Sequence, residues 1–215
     1  MKKRLYQNIA ANHFREYSSV YIFVIVLFLM GVIFGAVVVN SLSFSQKEDL
    51  FYYLSQFFGG LTNGKQAEAN DLFLQSLLHN SKYIGLMWVL GISIVGLPVI
   101  LILLFIKGMV VGFTVGFLVN QMGWDGFLLS FVSVLPQNFI IIPIFIIMAV
   151  MTITFSLQMI RRQFMKKISS PFMPMLTRYF LTLVGAIVLL TGAAAIEAYL
   201  SQVLMKAIIG SLSYK

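Results

Sequence analysis

Gly108-Met109-Val110-Val111-Gly112-Phe113-Thr114-Val115-Gly116 sits at the centre of an almost continuous apolar run from Ile84 to Ile160 and puts a glycine on every fourth residue. Residues four apart share one face of a helix. In lipid such a row of glycines is a groove that lets a second helix approach closely. The run is interrupted at few points: Lys107-Gly108, Asn120-Gln121, Asp125, and the pair Gln137-Asn138 between Pro136 and Pro143. An apolar block of this length cannot be the core of a small soluble domain, and it reads as a series of membrane spans.

Composition agrees. Of 215 residues, 60% are hydrophobic and 10% charged, with a mean hydropathy of +0.93. Ordinary soluble domains carry about 25% charged residues. The class is therefore an all-α, polytopic integral membrane helical bundle, one membrane domain over residues 1–215. The absence of cysteine excludes disulfides, thiolate metal sites and a cysteine nucleophile. His13 and His79 are far apart and outside the apolar spans, so they read as surface histidines, and neither a metal nor a cofactor is expected. The net charge of +8 comes from basic residues flanking apolar runs, which sets orientation in a bilayer and does not point to nucleic acid.

About 20 apolar residues cross a bilayer. The spans expected on this basis are 21–39, 84–106, 108–124, 139–157 and 179–198. Leu5 and Ile9 share a face of a short interfacial helix before the first. Gly31 and Gly35 form a GxxxG packing face within it. In the second, Pro98 is read as a kink and Lys107 as the end. The run from Gly108 is short, and so is Phe127–Leu135, so residues 126–138 read as a re-entrant or interfacial piece. There Pro136, Gln137 and Asn138, with Pro143 beyond, supply polar or kinking positions at membrane depth. The polar segment 40–83 reads as two helices. The first opens with the capping box Ser45-Gln46-Lys47-Glu48 and ends at Gly59-Gly60 and Asn63-Gly64. The second starts near Ala67. In the first, Phe51, Leu54, Phe57 and Phe58 form an aromatic-rich face suited either to the bilayer surface or to a partner protein.

With the N-terminus in the cytoplasm and five crossings, Lys2, Lys3, Arg4, Arg15, Lys107, Arg161, Arg162, Lys166, Lys167 and Arg178 fall inside, ten basic residues. Lys47, Lys65, Lys82, Lys206 and Lys215 fall outside, five. The excess of inner Lys and Arg supports that orientation and makes 40–83 extracytoplasmic. The acidic residues are Glu16, Glu48, Asp49, Glu68, Asp71, Asp125 and Glu197. None is central in an expected span, Glu197 reads as interfacial, and none pairs with a histidine or another carboxylate at catalytic spacing. No ionisable group is expected at depth, and the chain is not expected to be an enzyme.

Several stretches resemble the stage II sporulation protein M family of endospore-forming bacteria: Tyr21-Ile22-Phe23 through Phe28–Ala36, Phe44–Leu50, and Leu97-Pro98 through Lys107–Gly116 to Asn120–Trp124. The family often carries Pro-His-Gly-x-x-Glu-x-Pro. Here that stretch is Pro136-Gln137-Asn138-Phe139-Ile140-Ile141-Ile142-Pro143, with the prolines kept and Gln137 and Ile141 at the histidine and glutamate positions. The departure removes the ionisable groups and points to a structural use of the motif. The resemblance implies a mother-cell septal membrane protein that acts in engulfment. It further implies a non-catalytic scaffold that localises two peptidoglycan-degrading enzymes, stage II sporulation proteins P and D. The competing reading is a small transporter or channel using the 108–143 region, with Gln137 and Asn138 lining a path. Solute flux through the pure protein in liposomes separates the two.

Overall fold

The computed structural model describes residues 15–62, 69–93, 95–164 and 172–201. They form six α-helices: α1 Ser18–Ser41, α2 Phe44–Thr62, α3 Ala69–Gly91, α4 Gly96–Ser133, α5 Leu135–Phe164 and α6 Phe172–Ala195. α6 continues into a π-helical turn, Ile196–Ser201. No strand occurs among the described residues. Four segments are long and apolar enough to cross a membrane: α1, α4, Leu135–Arg161 and Met173–Tyr199.

The α1–α4 seam sets the geometry. α1 buries Tyr21, Val24, Phe28, Gly31, Gly35 and Val39, a stripe at three- and four-residue spacing. A Cβ on Gly31 or Gly35 would run into the backbone of Phe105 or Met109. One on Gly108 or Gly112 would overlap the carbonyl of Phe28 or Val32. At Gly116 the fit is looser, with Ala36 Cα 3.1 Å from the position a Cβ would take. The pairing of residues 28, 32 and 36 with 108, 112 and 116 ascends in both helices, so α1 and α4 run parallel. Asn120 donates to Asn40 Oδ1 at 3.4 Å at the far end of the seam.

The other helices alternate. Asn70 meets Tyr199, and Trp88 meets Tyr179, so α3 and α6 are antiparallel. Tyr179 stacks on Phe155 with centroids 4.1 Å apart, and Gln137 meets Glu197, so α5 and α6 are antiparallel as well. Gln158 donates to the Tyr17 hydroxyl at 3.0 Å, which places the end of α5 beside the start of α1. The bundle thus has a Tyr17 end and an Asn40 end. α3 returns the chain from the second to the first.

This corrects the expected spans. Residues 84–106 are not one helix: Ile84–Gly91 closes α3 and Gly96–Ile106 opens α4. The turn between them is tight. A Cβ on Gly91 would strike Thr152 and the Tyr179 hydroxyl, and one on Gly96 would strike the Leu90 carbonyl. Pro98 does not kink a span. It is the third residue of α4, in the first turn, where a missing N–H removes no helical bond. Lys107 does not end a helix but lies inside α4, so the segment 108–124 is the second half of a helix long enough to cross.

α4 breaks at Gly123, whose φ of 58° and ψ of −126° match the first central position of a type II′ turn, which glycine dominates. The piece after it folds back: Gly126 packs on the Leu118 carbonyl, and Leu129 packs with Leu118. The returning helix ends at Ser133, so the 126–138 piece is divided. Pro136, Gln137 and Asn138 already belong to the first turn of α5.

α2 begins two residues earlier than its sequence pattern indicates. Ser43, not Ser45, closes the capping box: the Ser43 N–H donates to Gln46 Oε1 at 2.9 Å, and the Gln46 N–H donates to Ser43 Oγ at 3.4 Å. Both serines satisfy the S-x-x-E/Q pattern. α2 runs through Gly59-Gly60 to Thr62. The Asn63-Gly64 stop and the Ala67 start fall outside the described residues.

Candidate functional site

The bundle encloses a polar cluster drawn from four elements. On α3, Ser76 and Asn80 are four residues apart on one face and are 9% and 6% exposed. Asn80 Nδ2 donates to the Ser76 carbonyl at 3.0 Å, which fixes the amide and leaves Oδ1 turned outward. That oxygen accepts from Lys107 Nζ of α4 at 3.1 Å. The same ammonium stands 5.0 Å from the centre of the Phe145 ring of α5, within cation–π range. From the π-helical turn beyond α6 comes Glu197. Its carboxylate accepts from the Ser76 hydroxyl and from the Gln137 amide, the latter at 2.7 Å to Oε1 with the amide nitrogen turned toward it.

Lys107 and Glu197 therefore share one cluster, linked through Asn80 and Ser76. Lys107 stands about 16 Å along α4 from its first residue, next to Gly108, which packs on the middle of α1. A lone charge at such depth costs roughly 2.5–3.5 kcal/mol even by the mildest measure, and such groups pair inside bundles. Removing one partner of a buried pair leaves the other uncompensated. Chemically, the cluster binds helices together through charge-assisted hydrogen bonds.

These positions overturn two expectations. Lys107 is not a cytoplasmic flank, and an ionisable group does stand at depth in the bundle; Glu197, half-buried two residues from the end of the apolar segment Met173–Tyr199, reaches the same cluster from its end position. A trace of the cluster in the sequence is Ser76 and Asn80, which share a face at i, i+4 spacing; nothing there marks Lys107 or Glu197 as their partners.

The other singled-out residues divide. Gly31, Gly35, Gly108, Gly112 and Gly116 line the α1–α4 seam. Pro136 and Pro143 lie in α5, the latter exposed at a mid-helix position. Asn138 is 7% exposed, and its Nδ2 donates to the Val134 carbonyl at 2.7 Å, closing the turn into α5. It faces no path. Ile141 is buried among apolar side chains. On α2, Leu54 turns inward against Leu118 and Leu129 and so is not part of an exposed docking face. Phe51 is 40% exposed, Tyr53 69% and Phe44 84%. The side chains of Phe57 and Phe58 lie outside the described residues. No group of three or more metal-ligating residues occurs among the described residues.

The sequence model of one protein family, described as stage II sporulation protein M, matches residues 24–202. No curated protein and no solved structure matches the chain.

Proposed function

We propose that this protein is a non-catalytic membrane scaffold of sporulation, and the premise is plain: the chain belongs to the stage II sporulation protein M family. Membership makes it a sporulation-related protein, and its four apolar helices make it a membrane protein. The scaffold role is the finer step. Its task is to hold peptidoglycan-degrading enzymes, stage II sporulation proteins P and D, at the septum while the mother cell engulfs the forespore.

One observation carries this reading beyond the family. α2 stands at the Asn40 end of the bundle, anchored through Leu54, with Phe44, Phe51, Tyr52 and Tyr53 uncovered. Aromatic side chains are favoured in the buried centres of interfaces. Orientation supports it. With Lys107 and Lys82 both within the bundle, nine basic residues remain on the Tyr17 side against four on the other. That bias puts the Tyr17 end in the cytoplasm and α2 outside, where peptidoglycan is.

The test is capture of the hydrolases from sporulating cells by the full chain. Truncating an aromatic anchor costs about 2 kcal/mol or more, against near zero for its neighbours. Phe51→Ala and Tyr53→Ala should weaken capture at unchanged abundance and septal localisation. Wild-type yield from both variants would remove α2 as the docking element. The transporter reading draws on the buried Lys107–Glu197 cluster, since intramembrane ionisable groups also serve transport. Solute flux in liposomes of the pure protein would favour it over the scaffold.

A further inference from the structure

α3 crosses the bundle without a sequence suited to lipid. The parallel register of α1 and α4 requires a return passage between them, and α3 is the helix that makes it, 23 residues long. Yet α3 is not among the four helices apolar enough to cross a membrane. Gln75, Ser76, His79, Asn80, Ser81 and Lys82 stand within eight residues of its middle. A helix of this composition, met alone, favours the bilayer surface over the interior.

The polar half of α3 is also where the charged side chains of its neighbours reach it, while its far end meets α6 through Trp88 and Tyr179. Lys107 of α4 binds Asn80. Glu197 accepts from Ser76, and Tyr199 donates to Asn70 Oδ1 at 3.3 Å. α4 and the segment Met173–Tyr199 are apolar enough to insert by themselves, and each brings one ionisable side chain to the Ser76–Asn80 face of α3. The need is mutual: α3 lacks apolarity, and its neighbours carry charges that need partners.

We propose that α3 is a conditional passage. It crosses because α4 and the end of α6 offer it Lys107 and Glu197 to bind, and it joins the bundle only when both are in place. α6 is the last helix described in the chain, so α3 takes its final position after the helices that follow it.

Labelling of single cysteines in the full, otherwise cysteine-free chain tests this. Ser45→Cys reports the Asn40 end and Ser93→Cys the Tyr17 end. In the parent the two should react with an impermeant maleimide from opposite sides of the membrane. Glu197→Ala and Lys107→Met should each shift a several-fold larger fraction of Ser93→Cys to the side of Ser45→Cys. Adding His79→Leu and Lys82→Leu, two outward-facing positions of α3, should return Ser93→Cys to its parental side, because the helix then crosses on its own apolarity. Should Glu197→Ala fail to accumulate, abundance becomes the readout, and the same leucine pair should restore it. The proposal is overturned if Ser93→Cys stays at the parental level in both single variants. It is also overturned if the leucine pair restores neither sidedness nor abundance.

Discussion

Three glycines stand in three different situations. At Gly112 the constraint is space: any Cβ overlaps the Val32 carbonyl, which is backbone and cannot turn aside. At Gly123 there is open space, and the constraint is the backbone, with φ at 58°. Gly185 has neither constraint: nothing lies within 4 Å of its would-be Cβ, and its φ is ordinary. Alanine at the three positions should therefore separate. Gly112→Ala should lower stability in detergent by about 1–3 kcal/mol through overpacking, and Gly123→Ala by a similar 1–3 kcal/mol through strain. Gly185→Ala should match or exceed the parent, since alanine is the better helix former by about 1 kcal/mol. Melting curves of the three chains check the order. Four-residue spacing marks the first kind of glycine in the sequence. The second kind left no such mark, because Gly123 stands within Asn120–Trp124, where a helix end and a surface loop look the same.

At the scale of the element, the helices were legible and their ends were not. The apolar runs 21–39, 139–157 and 179–198 coincide with the middles of α1, α5 and α6, whose ends lie two to seven residues away. The long run from Ile84 to Ile106 conceals a break because Ser93 is the single polar residue between Gly91 and Gly96, and the glycines on either side let the chain turn without further polar turn residues. Prolines were misread for a related reason: Pro98 and Pro136 start helices, where the ring costs nothing. The capping of α2 shows how two serines can both fit one pattern. Ser43→Ala removes the side-chain acceptor of the Gln46 N–H, whereas Ser45→Ala touches no backbone donor. The first should cost about 1 kcal/mol of α2 stability, seen as faster amide exchange over its first turns, and the second should leave exchange there unchanged.

For the whole molecule, the class of fold was readable from composition, and the polar cluster was not. Lys107 lies between apolar stretches whether it ends one helix or sits inside another, and hydropathy averages cannot tell these apart. Glu197 and Ser76 are 121 residues apart in the chain, so their meeting is a property of the bundle alone. Sidedness remains a matter of basic residues, and it is open to direct measurement. Lys47→Cys, on α2, should react with an impermeant thiol reagent on intact cells, while Arg161→Cys, near the end of α5, should react only after permeabilisation. Labelling of Arg161→Cys from outside would invert the molecule and leave α2 facing the cytoplasm.

The parallel seam also has a consequence in time. Val32 and Gly112, which meet across it, are 80 residues apart in the chain. At a synthesis rate of about 5–20 residues per second, α1 waits in the bilayer for some 4–16 seconds before its mate has been made. Through that interval Gly31 and Gly35 present an unfilled groove to whatever helix drifts past. Nascent chains stalled between residues 60 and 95 should thus form crosslinks from α1 to other membrane proteins that the finished chain does not form.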